Sequence, residues 1–146
     1  MGSEYVTLNV DGSAMKTWVA IPEGDGPFPG VVVAQHAGGA DTFIRSVCDR
    51  LAEAGFAAAA PDMYHRQDGM TFEELDAMAQ DDPERWPSMM GKARQMTDDQ
   101  IASDANAAYG LLRTLAQVGP APIGVMGFCG GGRVAYMMAA RNQDFA

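Results

Sequence analysis

Cysteine is scarce in this 146-residue chain: only Cys48 and Cys129 occur, with no C-x-x-C pair. There is therefore no disulfide framework and no thiol-rich zinc site to expect. Histidine is equally scarce. His36 and His65 stand outside any recognised ligand spacing, so no metal is implied. The chain also lacks the G-K-[ST] of a phosphate loop and the G-x-G-x-x-G of a dinucleotide fold, and no cofactor is expected. Positive charge is short, with 10 Lys and Arg against 19 Asp and Glu and a formal net charge of −9. Such an acidic balance argues against nucleic acid or an anionic membrane as a partner. No apolar run approaches transmembrane length, and MGSEYVTLNV has neither the basic region nor the apolar core of a signal peptide. A cytoplasmic protein with free thiols is the expectation. Internal repeats and low-complexity tracts are absent as well.

What is present reads as one globular domain. Hydrophobic residues make up 47% and charged residues 20%, ordinary values for a chain long enough to bury a core. Residues 5–10 and 15–20 are β-rich runs around Asp11-Gly12, a strong turn signal, and predict an antiparallel hairpin. A Pro/Gly-rich connector over 21–29 leads to residues 30–35, where Val31, Val32 and Val33 predict a strand buried on both faces. A Gly-rich turn comes next, then a helix from Asp41 or Thr42 to Ala54. Ile44, Val47, Cys48, Leu51 and Ala54 share its apolar stripe, which places Cys48 in the core, and Gly55 ends it. Residues 56–60 predict a second buried strand. Hairpin, strand, helix, strand is the order of an α/β sheet with parallel crossovers.

Residues 62–97 form an irregular excursion. Thr71-x-x-Glu74 reads as a capping box and Asp82-Pro83 as a second helix start, with Pro87 and Gly91 as breakers of that second helix. Six methionines and Trp86 lie here, and they suit either a compliant pocket lining or plain packing of short helices. Thr97 to Gln100 is a further capping box before a long helix marked by Ile101, Ala105, Ala108, Leu112 and Leu115 and ended by Gly119-Pro120.

The chain is organised around residues 123–138. An apolar strand, Ile123 to Phe128, runs into Cys129 and three glycines, then a helix. Gly127-Phe128-Cys129-Gly130-Gly131 fits the G-x-nucleophile-x-G elbow with cysteine as nucleophile. A nucleophile on a tight strand-to-helix turn needs small neighbours two before and two after, where strand and helix approach. It also sits at the amino end of a helix, which favours a thiolate. The pentapeptide fits a buried cysteine beside a Gly-rich turn equally well.

Three stretches decide between these readings: VVVAQHAGG (31–39), FAAAAPDMYHRQ (56–67) and IGVMGFCGGG (123–132). Together they resemble the dienelactone hydrolase (carboxymethylenebutenolidase) family, a branch of the α/β-hydrolases with a cysteine nucleophile. The likeness covers nearly the whole chain and only the N-terminal part of a family member. It implies a single α/β-hydrolase domain over 1–146, with a mainly parallel sheet flanked by helices, the hairpin at its start, and 62–97 as a substrate-pocket excursion. The implied activity is hydrolysis of small carboxylic esters or lactones through an acyl-enzyme on Cys129. The oxyanion would be held by the backbone N–H groups of Gly130 and Ala37. Tyr64 and Trp86 would border the acyl pocket, and Arg85 and Arg94 are candidates for holding a substrate carboxylate.

Two departures stand out. Family members that open dienelactone carry glutamate where this chain has His36, so His36 is expected beside the thiol as donor or base. The family's acid and general-base histidine come after the elbow, and the 146 residues contain neither. The expectation is a fragment, a cleavage product or one half of a protein. The C-terminal strands would be absent, leaving a sheet edge to pair with the remainder of the domain or with another copy. Rival readings are a thioesterase or acyl-transfer enzyme on the same fold, and a non-catalytic binding or sensor domain with a redox-sensitive Cys129. The elbow position of Cys129 and the core position of Cys48 generate one prediction: mild alkylation with iodoacetamide, followed by peptide mapping, labels Cys129 alone. Predominant labelling of Cys48 would contradict the elbow.

Overall fold

The computed structural model describes residues 2–146. Strands β1 (Gly2–Val10) and β2 (Ser13–Ile21) form the hairpin, with Val10 opposite Ser13. Asp11 and Gly12 both take positive φ, 52° and 76°, which gives the two-residue turn the hand that matches strand twist. With β3 (Gly30–Ala34), β4 (Ala57–Pro61) and β5 (Gly124–Gly127) they make a five-stranded sheet of order β1-β2-β4-β3-β5. β3 runs parallel to β4 and to β5, while β2 joins β4 antiparallel. The sheet is thus mixed, with a parallel centre and the hairpin on one flank.

Five helices complete the fold: α1 (Thr42–Glu53), α2 (Phe72–Ala77), α3 (Arg85–Ala93), α4 (Asp98–Thr114) and α5 (Gly130–Arg141). The period of two in β3 and β4 sorts side chains between two helical layers. Val33, Ala58 and Ala60 pack with Ile44, Val47 and Cys48 of α1. Val32, Ala34, Ala57 and Ala59 pack with Ile101, Ala105, Ala108 and Leu112 of α4 and with Val134 and Met138 of α5. Four successive alanines in β4, all fully buried, let both layers approach the sheet closely. Cys48 is sealed in the α1 layer, where burial first and then the charge of Asp49 push its thiol up to about 12.

Both capping boxes form, at Thr71 with Glu74 and at Thr97 with Gln100. The excursion departs from the sequence reading in its middle. Pro87 and Gly91 do not break a helix but lie inside α3. Pro87 is the third residue of that helix, where its missing N–H would have had no intrahelical partner. The start is also later than Asp82-Pro83: Asp82 accepts from the Glu84 N–H at 2.9 Å in a turn that precedes the helix. α4 ends at Thr114, before Gly119-Pro120, and the Arg113 guanidinium then bonds the Gly119 and Ala121 carbonyls at 2.9 and 2.8 Å.

His65 is locked into the frame of the fold. Its ring nitrogens meet Ser13 Oγ and Asp104 Oδ1, each at 2.9 Å, and Arg66 adds two bonds to Asp104 at 2.8 and 2.9 Å. These contacts pin α4 to the segment after β4. β5 lies at one end of the sheet. Along its outer side Phe145 bridges Ile123 in the parallel sense, and the Ala146 N–H donates to the Ile123 carbonyl at 2.9 Å. Among the described residues no helix is long and apolar enough to cross a membrane.

Candidate active site

The site is built where β3 and β5, paired from Val31–Gly124 to Ala34–Gly127, deliver their succeeding turns to one end of the sheet. After β5 the chain reverses direction at Cys129, which takes φ 53° and ψ −118° as the residue before α5. That backbone is one L-residues rarely adopt, and it persists only where packing over-determines it. The packing is visible in the flanking glycines. A Cβ on Gly127 would collide with the Gly131 carbonyl. A Cβ on Gly131 would stand 2.7 Å from the Gln35 carbonyl oxygen and closer still to that of Ala34. Gly130 has open space around it and needs no such explanation. The turn leaves Cys129 exposed, in contrast to Cys48.

The facing wall is the turn after β3. The Gly39 N–H closes it on the His36 carbonyl at 3.0 Å. Tyr64, 3% exposed, donates its hydroxyl to the Ala37 carbonyl at 2.7 Å and so fixes the Ala37 peptide. Burial pushes the Tyr64 phenol well above its usual range, which keeps it a donor. Gln35, also 3% exposed, accepts the Met63 N–H at 2.9 Å, while its amide nitrogen has no partner. His36 Nε2 meets Asp41 Oδ2 at 2.6 Å, and the other oxygen of Asp41 caps α1 at the Ile44 N–H, 3.1 Å away. Burial raises the Asp41 carboxyl, but the bonds from His36 and Ile44, with the charge of Arg85, outweigh it and hold the group below the usual carboxylate range.

Between the walls lies a small cavity. Cys129, Gly130, His36, Ala37 and Tyr64 all line it, so five of the residues singled out from sequence meet in one place. Among the described residues neither the Gly130 N–H nor the Ala37 N–H donates to another group. Among the described residues no hydrogen bond joins the Cys129 sulfur to His36, although both line the cavity. Three other residues stand elsewhere. Trp86 is 61% exposed, Arg94 is exposed at the end of α3, and Arg85 donates to Gln80 at 3.0 Å and lines a separate cavity beside Asp41. The reason is the continuity of α3 through Pro87, which brings Met90 and Ala93 to the Cys129 cavity instead, with Met96 just beyond. Met90 and Met96 are two of the six methionines that the sequence offers as pocket lining or packing, while Ala93, Gln35 and Asp41 escape a reading of the sequence. Helical spacing of Met90 and Ala93 is the available signal, hidden when Pro87 is read as a breaker.

Comparison with known proteins fits this geometry. Residues 15–146 match the model of the dienelactone hydrolase family. A protein of Methylorubrum extorquens named "Putative carboxymethylenebutenolidase" is 31% identical over 138 residues, 94% of this chain and 44% of the relative. A Synechocystis protein of the same name is 33% identical over 135 residues, 92% of this chain and 52% of the relative. The crystal structure of a "Putative Dienelactone Hydrolase" from Klebsiella pneumoniae superposes with a TM-score of 0.81 at 26% identity, covering 99% of this chain and 56% of that one. The chain thus spans about half the length of the curated relatives it matches. The elbow's packing makes a stability prediction. Gly131→Ala costs about 3 kcal/mol, as overpacking against rigid backbone does, and lowers the melting temperature by roughly 6–12 °C. Gly130→Ala leaves it unchanged within error. Equal melting temperatures in scanning calorimetry would contradict the close approach at Gly131.

Proposed function

Because this chain belongs to the dienelactone hydrolase family, we propose that it acts on small carboxylic esters or lactones with Cys129 as the nucleophile. The observation that carries the reading is the Cys129 backbone: φ 53° at the head of α5, with the thiol exposed into a cavity that two unengaged N–H groups also line. Such strain is retained where it presents a reacting atom. Attack by the sulfur on an ester carbonyl moves charge onto the carbonyl oxygen, and the Gly130 and Ala37 N–H groups are the donors that would receive it. The amino end of α5 adds its dipole to the same place. Tyr64, Met90, Ala93 and Met96 give the acyl group a narrow, mostly apolar seat.

Hydrolysis of the acyl-enzyme needs a base for water. His65 is unsuited, being buried with both ring nitrogens engaged by Ser13 and Asp104. We place the deacylating histidine and its acid outside residues 1–146, on strands that would extend the sheet beyond β5. The pairing of Phe145 and Ala146 with Ile123 supports a further parallel strand on that edge.

Acylation should therefore outrun deacylation in the 146-residue chain. With p-nitrophenyl acetate, the expected result is a burst of about one p-nitrophenol per chain, then turnover on the order of 10⁴-fold slower or worse, the scale of losing triad members. Cys129→Ala abolishes the burst. A burst that survives Cys129→Ala would contradict the nucleophile, and steady turnover as fast as the burst would contradict an external deacylating base. No acylation in the intact chain would favour the non-catalytic thiol.

A further inference from the structure

We propose that His36 and Asp41 form a proton-accepting pair for the Cys129 thiol, with His36 the catalytic base of acylation and Asp41 its positioning residue. The inference rests on Cys129 being the nucleophile, and it assigns to the first turn of the site a step that needs no residue beyond the chain.

The geometry runs from the carboxylate outward. Asp41 is 4% exposed and held at both oxygens, by His36 Nε2 at 2.6 Å and by the Ile44 N–H at 3.1 Å. It is pinned as the cap of α1 and cannot turn away from the ring. A carboxylate only accepts, so the proton of the shared bond lies on Nε2 and the lone pair of the neutral ring lies on Nδ1. Nδ1 has no partner among the described residues, and the ring lines the same cavity as the Cys129 sulfur. Phe43 packs against the ring at a tilt, with centroids 5.5 Å apart, and itself meets Phe128, the residue before the nucleophile, edge-on at 5.1 Å. The absence of a side chain at Gly38 is part of the arrangement. A Cβ there would lie 2.6 Å from Asp41 Oδ2 and 2.9 Å from His36 Nε2, wedging the pair apart.

The charged groups near the pair come from each packed element. Arg85 of α3 and Asp76 of α2 line the cavity on the outer side of the ring, and Arg45 of α1 reaches Asp76 at 3.5 Å. On the inner side are Cys129 and the un-ionised Tyr64. Asp41 is the one carboxylate bonded to the ring among the described residues.

In the chemical step the Sγ–H bond of Cys129 breaks and its proton passes to His36 Nδ1, through a change of thiol rotamer or one bridging water. The sulfur pair forms the S–C bond as the carbonyl π pair moves onto oxygen. Collapse of that species breaks the C–O bond to the leaving alcohol, which takes the proton back from Nδ1. Throughout, Asp41 stabilises the transient imidazolium and keeps its tautomer, the role a carboxylate plays behind a catalytic histidine.

The test is the rate of Cys129 alkylation by iodoacetamide between pH 5 and 9, read by peptide mass, for the intact chain, Asp41→Asn and His36→Gln. The asparagine keeps a cap oxygen for the Ile44 N–H but presents no charge to the ring. At pH 6 both variants are expected to react at least about tenfold slower than the intact chain, and the rates converge above pH 9, where a thiol ionises unaided. Superimposable profiles in all three overturn the pair. Should Asp41→Asn fail to fold, His36→Gln, which removes the ring but leaves the Asp41 carboxylate and its cap bond from the Ile44 N–H in place, decides alone. Acetylation of Cys129 by p-nitrophenyl acetate is followed in the same samples. Pair-dependent alkylation without acetylation sinks the hydrolase reading and leaves the thiol-activating pair standing. Acetylation with pair-independent alkylation does the reverse.

Discussion

The first turn of α5 lies against the carbonyls of Ala34 and Gln35 at the end of β3, so closely that position 131 has no room for a Cβ. This contact decides most of the site. It brings the helix in at the angle that forces the preceding residue into positive φ, and that residue is Cys129. It sets the distance between the two turns that face each other, one carrying the Gly130 N–H and the other the Ala37 N–H. It also depends on the sheet behind it. β3 and β5 must pair in register from Val31 to Ala34 for the two turns to leave the sheet at the same level.

The rest of the fold stabilises that arrangement. The alternating faces of β3 and β4 seat α1 on one side and α4 with α5 on the other, and α1 carries the cap residue Asp41 to the His36 ring. The segment after β4 contributes from a third direction: Met63 through its N–H to Gln35, and Tyr64 through its hydroxyl to Ala37. His65 and Arg66, the next two residues, tie the same segment to the buried Asp104 of α4. A buried charge of this kind is costly unless paired, and three donors from two side chains pair it. The turn that faces the cavity from β3 is thus held from behind by side chains of other elements.

Much of this is legible in the sequence because it is written in local rules. Asp11-Gly12 fixes a two-residue turn, Thr71 and Thr97 with their partners three residues on fix two helix starts, and an apolar strand meeting Cys129 and glycines fixes the elbow. The valine run of β3 announces a doubly buried strand, and the position of Cys48 on an apolar stripe announces its burial. What is not legible depends on tertiary context. Pro87 breaks a helix by rule unless it falls in the first turn, and where α3 begins is set by its packing. With α3 misplaced, Trp86 and Arg85 stand in the expected pocket wall in place of Met90 and Ala93. Asp41 is visible only as a helix cap, since nothing local shows that its second oxygen faces His36.

The central claim is that the strained turn presents the Cys129 sulfur and two backbone donors to one carbonyl. The most direct measurement is a crystal structure of the chain after reaction with a small aliphatic aldehyde, which adds reversibly to thiolates and leaves a tetrahedral carbon with one oxygen. The account predicts a thiohemiacetal on Cys129 whose oxygen lies about 3 Å from the backbone nitrogens of both Gly130 and Ala37. An adduct oxygen pointing to solvent with neither N–H engaged, or an adduct on Cys48, would contradict it.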